Sequence, residues 1–175
     1  MAHSRHSTST LILGGARSGK SARAQRLAEE RLSQRIYVAT AEAFDEEMAD
    51  RIKRHQSQRG DGWMTVEAPV DLVTALQSHA APDRVVLVDC LTLWLSNLMG
   101  AKRDVELECA KLVNWIETAA GHVIFVSNEI GLGLVPETPL GRAFRDAQGR
   151  LNQSVAAACD RVEFIAAGLP IELKG

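Results

Sequence analysis

The sequence predicts an α/β fold, a layered domain with a mainly parallel central sheet flanked by helices. Three observations predict it. Residues 14–21 meet the phosphate-binding pattern G-x-x-x-x-G-K-[S/T]. An apolar run at 11–13 precedes that pattern, and residues 21–32 after it have the alanine, leucine and charge content of a helix. Strand-like and helix-like segments then alternate to the end of the chain, as in folds built from βα units.

The phosphate-binding pattern assigns a role to each residue type in it. The pattern comprises Gly14, Gly15, Ala16, Arg17, Ser18, Gly19, Lys20 and Ser21. Its glycines let backbone N–H groups surround phosphates, Lys20 reaches the β and γ oxygens, and the Ser21 hydroxyl can hold Mg²⁺. The positive end of the following helix faces the same phosphates. These residues predict a P-loop NTPase-like domain that binds a nucleoside triphosphate; the alternative is a glycine-rich turn with no ligand.

The remaining elements follow from hydrophobic patterning. Pro69 ends a short strand, Asp71 is a plausible N-cap, and the unbroken apolar run before Asp89 is typical of a covered parallel strand. Strands are predicted at 35–40, 63–67, 84–89, 122–127, 162–166 and 171–173, and helices at 46–58, 71–79, 105–120 and 139–159. In such a sheet a nucleotide binds at the carboxyl ends of the strands.

Length and composition restrict the class of protein. The chain has 175 residues, 46% of them apolar, and a net charge of −2, which suits one domain and gives no sign of a nucleic-acid surface. We expect residues 1–9 to be a disordered tail and 10–175 to be a single catalytic domain. No apolar run approaches the ~20 residues of a membrane span. Three widely spaced cysteines, with no C-x-x-C pair, favour a reducing, cytoplasmic location and small buried side chains.

Two residues outside the phosphate loop are candidates for chemistry. Asp89 closes its apolar strand where a second Mg²⁺-organising carboxylate belongs in P-loop enzymes; a turn residue after the strand is the alternative. His55 lies in a predicted helix with several basic groups near its end. On physical grounds alone, a single helical histidine is more often a surface or structural residue.

An ordered set of motifs carries a family resemblance. It comprises residues 14–21, the strand end 37–40, the segment 45–55 with its Asp-Glu-Glu-Met and His55, then Trp63, Glu67 and Pro69, and later 127–136 and 144–153. This set resembles the bifunctional adenosylcobinamide kinase/adenosylcobinamide-phosphate guanylyltransferase family of cobalamin biosynthesis. The resemblance covers nearly everything from Thr10 to the end of the chain.

The resemblance implies two reactions at one site. The first is phosphorylation of adenosylcobinamide by ATP or GTP, and the second is transfer of GMP from GTP to the new phosphate, giving adenosylcobinamide-GDP. It implies that His55 is guanylylated and that Mg²⁺ and Lys20 assist the two transfer reactions. A neutral imidazole is nucleophilic near pH 7, which suits that role. It further implies a homotrimer, and nucleotide contacts at Thr40, Ala41, Glu42, Gln56, Ser57, Gln58, Arg59 and Glu67.

Several alternatives stay open at this point. The chain lacks the N-K-x-D signature of guanine-reading switch GTPases, so a GTP preference needs other contacts, such as the Glu67 carboxylate with guanine N1–H and N2. The glycine-rich stretch 131–133 is either a mobile loop over the corrinoid or an ordinary connection. The leucines and Trp94 that follow Asp89 are core or an oligomer contact. Arginines 142, 145 and 150 lie near the site, at a subunit contact or on a solvated helix face.

The sequence also leaves the functional class open between three hypotheses. The first is the bifunctional corrinoid enzyme. The second is a small-molecule kinase that has the phosphate loop but forms no covalent adduct. The third is a nucleotide-dependent regulator without enzymatic activity.

Overall fold

The structure, a computed structural model, describes residues 8–32, 34–42 and 62–175. The central sheet contains strands β1 (Thr8–Gly14), β2 (Arg35–Ala39), β3 (Trp63–Glu67), β4 (Val85–Asp89), β5 (His122–Asn128), β6 (Arg161–Ala166) and β7 (Leu169–Lys174). The strand order is β3-β2-β4-β5-β1-β6-β7. Every neighbouring pair is parallel except β6 and β7, which form an antiparallel hairpin at one edge. The predicted mainly parallel sheet is therefore confirmed.

Helices cover both faces of this sheet. Those within the described ranges are α1 (Lys20–Glu29), α2 (Leu72–His79), α3 (Leu91–Gly100), α4 (Val105–Thr118) and α5 (Pro139–Ala158). The sequence did not predict α3. Six of its ten residues are buried, and a helix buried on most sides lacks the one-sided apolar stripe by which helices are recognised. The helix expected at 46–58 lies outside the described residues.

Local capping explains where two of the helices begin. The Asp104 carboxylate accepts a hydrogen bond from the Leu107 N–H at the start of α4, and the Thr138 hydroxyl accepts one from the Gly141 N–H at the start of α5. Asp71 occupies the N-cap position of α2, but its side chain makes no capping bond. The predicted N-cap position of Asp71 is therefore confirmed, although its side chain adds no capping bond.

The two faces of the sheet bury different sets of side chains. Leu11 and Leu13 of β1 pack with α2 to α5, whereas Ile12 packs with α1 on the opposite face. Because side chains alternate between the two faces along a strand, the last residue of each strand faces the same side as the residue two positions before it. Trp94 is fully buried and its indole N–H donates to the Val70 carbonyl at 2.8 Å. Of the two alternatives for Trp94, a core position or an oligomer contact, the structure therefore shows the core position.

The strands begin and end close to their predicted positions, with one difference at the start. Thr8 and Ser9 pair with β5 inside β1, so the ordered domain begins before residue 10, and residues 1–7 lie outside the description. The single-domain division itself stays a prediction.

All three cysteines are free thiols, with Cys90 and Cys159 buried. Across the described ranges, no helix is both long and apolar enough to cross a membrane.

Candidate nucleotide-binding site

The phosphate loop connects the carboxyl end of β1 to the first turn of α1. Gly14 needs to be glycine, because a Cβ there would lie 2.5 Å from the Ser18 hydroxyl oxygen and 2.8 Å from the Ile165 carbonyl oxygen. Gly19 has φ +96°, and Arg17 has φ +55°, so the chain turns through left-handed conformations at both positions. Gly15 has open space around its Cα. The loop therefore has the close, side-chain-free backbone that a phosphate cradle requires.

Lys20 is the first residue of α1 and folds back over this loop. Its ammonium group donates to the Gly15 carbonyl at 2.9 Å. Burial lowers the pKa of Lys20, while Cys90 and Asp89 act in the opposite direction. The electrostatic influence of Asp89 on Lys20 shows that the end of β4 lies near the loop, as the metal-organising hypothesis requires.

Asp89 ends β4 on the same face of the sheet as α1. Leu87, two residues earlier, packs against α1, and strand alternation puts Asp89 on that same side. Thr40, after β2, fixes this strand end: its hydroxyl donates to the Cys90 carbonyl at 2.7 Å and accepts from the Cys90 N–H at 2.8 Å. Thr40 is fully buried. It thus has a structural role beside the Asp89 carboxylate, and its predicted nucleotide contact stays a prediction.

Strand β5 lies between the phosphate-loop strand β1 and the Asp89 strand β4. Asn128, its last residue, pairs with Gly14 and points toward the α1 face by alternation from Val126. The next residue, Glu129, donates its N–H to the Gly14 carbonyl at 3.0 Å. Asn128 and Glu129 therefore lie beside the phosphate loop, a position that the sequence did not predict. The signal was a polar pair at a strand end, but only the strand order shows that this strand adjoins β1.

Buried amides on α5 hold the end of β5. Asn152 Oδ1 accepts from the Ser127 hydroxyl at 2.7 Å and from Gln148 Nε2 at 2.9 Å, and Asn152 Nδ2 donates to the Asn128 carbonyl at 3.1 Å. The Asn128 N–H donates to the Thr92 hydroxyl at 2.9 Å. Both backbone groups of Asn128 are thus bonded to side chains, which fixes the backbone that carries its amide.

The hairpin between β6 and β7 braces the phosphate loop from the other side. The Gly168 N–H donates to the Ser18 carbonyl at 2.8 Å, and a Cβ on Gly19 would lie 3.3 Å from the Gly168 Cα. Ala167 and Gly168 both have positive φ, which gives the tight turn this approach needs. Nothing in the sequence indicated that its C-terminal hairpin would contact the phosphate loop.

The remaining predicted contacts lie farther away or outside the description. Glu67 ends β3, four strand spacings from β1, or about 19 Å at about 4.8 Å for each spacing. It is exposed and borders a cavity of about 430 Å³ beside α2. Ala41 and Glu42 follow Thr40 at the same edge of the sheet and are half-buried. His55, Gln56, Ser57, Gln58 and Arg59 lie outside the described residues.

The described residues around the phosphate loop fit a nucleoside triphosphate that is bound together with Mg²⁺. Among the described residues, the buried Ser18 hydroxyl has no hydrogen-bond partner, and it adjoins the open cradle at Gly15. Ser21 and Asp89 provide the hard oxygen donors that Mg²⁺ prefers. No group of three or more His, Cys, Asp or Glu side chains is placed to hold a metal within the described parts of the chain.

Sequence comparison decides which proteins of this fold the chain is related to. A family model described as cobinamide kinase / cobinamide phosphate guanyltransferase matches residues 10–173. The chain belongs to this family. As a member it is a bifunctional kinase and guanylyltransferase. The resemblance inferred from the motifs is thereby confirmed.

Two curated relatives match across nearly their whole length. The chain is 47% identical over 173 residues to the bifunctional adenosylcobalamin biosynthesis protein CobP of Pseudomonas aeruginosa, covering 94% of this chain and 96% of that protein. It is 36% identical over 179 residues to the CobU protein of the same description from Escherichia coli, covering 94% and 98%. Both descriptions place these relatives in cobalamin biosynthesis.

Solved structures of low sequence identity share the fold. A type III secretion ATPase superposes with a TM-score of 0.61 at 11% identity, over 94% of this chain and 56% of that ATPase. The RadB recombinase superposes with a TM-score of 0.53 at 12% identity, over 90% and 73%. These similarities confirm the predicted P-loop NTPase-like fold.

Proposed function

We propose that this member of the cobinamide kinase / cobinamide phosphate guanyltransferase family phosphorylates adenosylcobinamide with ATP or GTP. It then transfers GMP from GTP to adenosylcobinamide phosphate, giving adenosylcobinamide-GDP and pyrophosphate. The observation that carries the proposal is the convergence of the phosphate loop, Lys20 and Asp89 at one edge of the sheet, in a chain that matches the family along its length.

In the kinase step the substrate hydroxyl oxygen attacks the γ-phosphorus while the bond from that phosphorus to the β,γ-bridging oxygen breaks. The hydroxyl proton passes to solvent, and the nucleoside diphosphate leaves. Lys20, which rests on the Gly15 carbonyl, is placed to exchange that contact for phosphate oxygens. Mg²⁺, held by Ser21 and Asp89, would neutralise charge on the phosphates.

In the guanylyl step a neutral ring nitrogen of His55 attacks the α-phosphorus, and pyrophosphate departs as the α–β bridging bond breaks. An oxygen of adenosylcobinamide phosphate then attacks the α-phosphorus, and the phosphorus–nitrogen bond breaks as the imidazole leaves with a proton. Among the described residues, this step is supported by the end of β2, the strand that precedes His55 in the chain, because Ala39 there pairs with Asp89.

Incubation with GTP labelled at the α-phosphate tests the covalent step. The protein should take up a label that is stable in alkali and lost in acid, and His55→Ala should take up none. The matched control is His79→Ala, a half-buried histidine at the end of α2, which should label normally. Label retained in His55→Ala would place the nucleophile elsewhere. No label in a wild type that binds GTP would leave a kinase without a covalent intermediate, and no turnover of either kind would leave a regulator.

Guanine selection is assigned to Glu67, whose carboxylate can accept from two guanine donors that adenine does not present together. Glu67→Gln should reduce the preference for GTP over ATP in the guanylyl step by roughly tenfold or more, because a site built for paired hydrogen bonds loses them. An unchanged preference would remove Glu67 from this role.

Three further features belong to the same proposal. We expect activity to require Mg²⁺, so that EDTA abolishes both steps and added Mg²⁺ restores them. We expect a homotrimer, which light scattering of the purified protein measures directly. A cytoplasmic location is the expectation from the cysteine pattern, and microscopy of the tagged protein tests it.

A further inference from the structure

Asn128 ends β5 with its backbone held and its carboxamide unused. Its N–H donates to the Thr92 hydroxyl at 2.9 Å, and its carbonyl accepts from Asn152 Nδ2 at 3.1 Å. Across the described parts of the chain, no hydrogen bond reaches the half-buried carboxamide of Asn128. A polar group that is partly removed from water costs free energy unless it finds a partner. Asn128 therefore offers a donor and an acceptor, on a fixed backbone, to a ligand.

The strand order directs this carboxamide toward the phosphate site. Strand β5 lies between β1, which ends in the phosphate loop, and β4, which ends in Asp89. Asn128 pairs with Gly14, and Val126 pairs with Asp89, so Asn128 lies about 7 Å farther toward the carboxyl edge of the sheet than Asp89. Its side chain faces α1, because Val126 packs on that face two residues earlier. The carboxamide thus lies between the phosphate loop and the end of β4.

The γ-phosphate is the part of a bound triphosphate that this position suits. Lys20 reaches the β and γ oxygens in a phosphate loop, and Mg²⁺ bridges the same two phosphates in P-loop enzymes. Asp89 acts electrostatically on the Lys20 ammonium group, so the lysine and the carboxylate that would organise Mg²⁺ converge. A carboxamide beside both, and farther out than Asp89, faces the outer end of the phosphate chain.

The chain after Asn128 is held against the phosphate loop as well. The Glu129 N–H donates to the Gly14 carbonyl at 3.0 Å, and the Glu129 carboxylate accepts from the Gly131 N–H. Arg145 donates to the Gly131 carbonyl at 2.7 Å, so among the alternatives for this arginine the structure shows a contact near the site. Because the backbone is restrained on both sides of Asn128, little conformational entropy is lost when its side chain binds a ligand.

We propose that the Asn128 carboxamide nitrogen donates a hydrogen bond to an oxygen of the γ-phosphate, so that this side chain distinguishes a bound triphosphate from a diphosphate. The inference rests on the proposed function, because the γ-phosphate is the group transferred in the kinase step. Hydrogen bonds to an ionised acceptor are stronger than those between neutral groups. Asn128 adds a fixed donor to the positive charge of Lys20 at the oxygens whose charge changes during the transfer.

Calorimetric titration with two guanine nucleotides, a triphosphate and a diphosphate that both carry a methylene group as the α–β bridge, tests the proposal. Neither nucleotide can guanylylate His55, so the measurement does not rely on turnover. With Mg²⁺ present, Asn128→Ala should lower the preference for the triphosphate roughly tenfold, equivalent to about 1.4 kcal/mol, because one hydrogen bond to a charged group is lost. The Kd for the diphosphate should stay that of the wild type. Asn128→Asp should lower the preference further, because its carboxylate repels the γ-phosphate.

The matched control is Asn114→Ala, an exposed asparagine on α4, which should keep the wild-type preference. The two hydrogen bonds that hold Asn128 come from its backbone, so both Asn128 variants should keep them and unfold at the wild-type Tm.

An unchanged preference in Asn128→Ala overturns the assignment and leaves the proposed function standing. Equal losses of affinity for the two nucleotides also overturn it, because the side chain would then only shape the loop. Wild-type affinity for the triphosphate in Asn128→Asp overturns it too, because the carboxamide oxygen would then face Mg²⁺. A wild type that prefers the triphosphate but phosphorylates no adenosylcobinamide refutes the proposed function, and the preferences of the two variants still decide the role of Asn128.

Discussion

An ion pair between α1 and β6 stabilises the helix that follows the phosphate loop, and removing it tests how far that helix depends on the hairpin edge of the sheet. Arg23 donates to both carboxylate oxygens of Glu163, from Nε at 2.8 Å and from Nη2 at 2.9 Å. The Glu163 side chain is 3% exposed and that of Arg23 is 22% exposed. Two parallel bonds in a desolvated position make this a strong pair.

The structure sets the expected magnitude. Breaking a buried pair by removing one partner costs about 3–5 kcal/mol, because a charge is left without compensation. Because water still reaches Arg23, we expect Glu163→Ala to lower the free energy of unfolding by the lower end of this range, about 3 kcal/mol. Glu163→Gln keeps one acceptor oxygen and should cost about 2 kcal/mol. For a domain of this size these values correspond to Tm decreases of about 6–12 °C and 4–8 °C.

Thermal unfolding followed by circular dichroism at pH 7.5 measures both variants. The control is Glu172→Gln, which removes an exposed partner of Arg161 at 3.3 Å and should change Tm by no more than about 2 °C. A decrease for Glu163→Gln no larger than that of the control would refute the assignment of a strong pair.

The same pair predicts a pH dependence. The hydrogen bonds from Arg23 lower the pKa of Glu163 below its ordinary value of 4.5, although burial acts in the opposite direction. Because the folded-state pKa is the lower one, the stabilisation is complete above the ordinary value and is lost as the pH falls through the folded-state pKa. The Tm difference between wild type and Glu163→Gln should therefore narrow once the pH is below about 4.5. A constant difference down to pH 3 would contradict the electrostatic explanation.

Three other predictions follow from single contacts. Lys20→Ala should reduce both activities by roughly 10²-fold or more, because both reactions need the same triphosphate held; kinase assays that retain activity would contradict a shared site. Gly121→Ala should cost more than about 2 kcal/mol in chemical denaturation, because its Cβ would lie 2.1 Å from the Ala81 carbonyl oxygen at φ +84°. Gly149→Ala on α5, which has open space, is its control and should instead stabilise by about 0.5–1 kcal/mol. Asn152→Ala removes the acceptor of the buried Ser127 hydroxyl and the side-chain donor to the Asn128 carbonyl, and it should cost about 2–4 kcal/mol in the same assay; a loss below 1 kcal/mol would mean that the amide cluster does not hold the end of β5.

Much of the fold could be predicted from the sequence because its signals are local. The unbroken apolar run of β4 and the glycine pattern after β1 each depend on neighbours in the chain, and both elements are found where expected. Helix α3 was missed for the opposite reason. It is buried on most of its surface, so its pattern has no polar face to reveal a period.

The candidate site likewise contains some residues that the sequence predicted and others that it did not. Gly14, Lys20 and Ser21 were predicted because their spacing in the chain is itself the phosphate-binding geometry. Asn128 and Gly168 were not, because their closeness to the loop depends on β5 lying beside β1 and on the final hairpin turning back toward it. Pairing between strands that are far apart in the chain cannot be predicted from the spacing of neighbouring residues.

The sequence by itself determined that this chain carries a phosphate loop and, through its ordered motifs, which family it belongs to. The tertiary structure alone decided which other groups stand around that loop. It brings Asp89 near Lys20 and fixes Asn128 from α5. The physical reason is that a phosphate cradle is made by one short run of backbone, whereas the groups around it come from strand ends that only the packed sheet brings together.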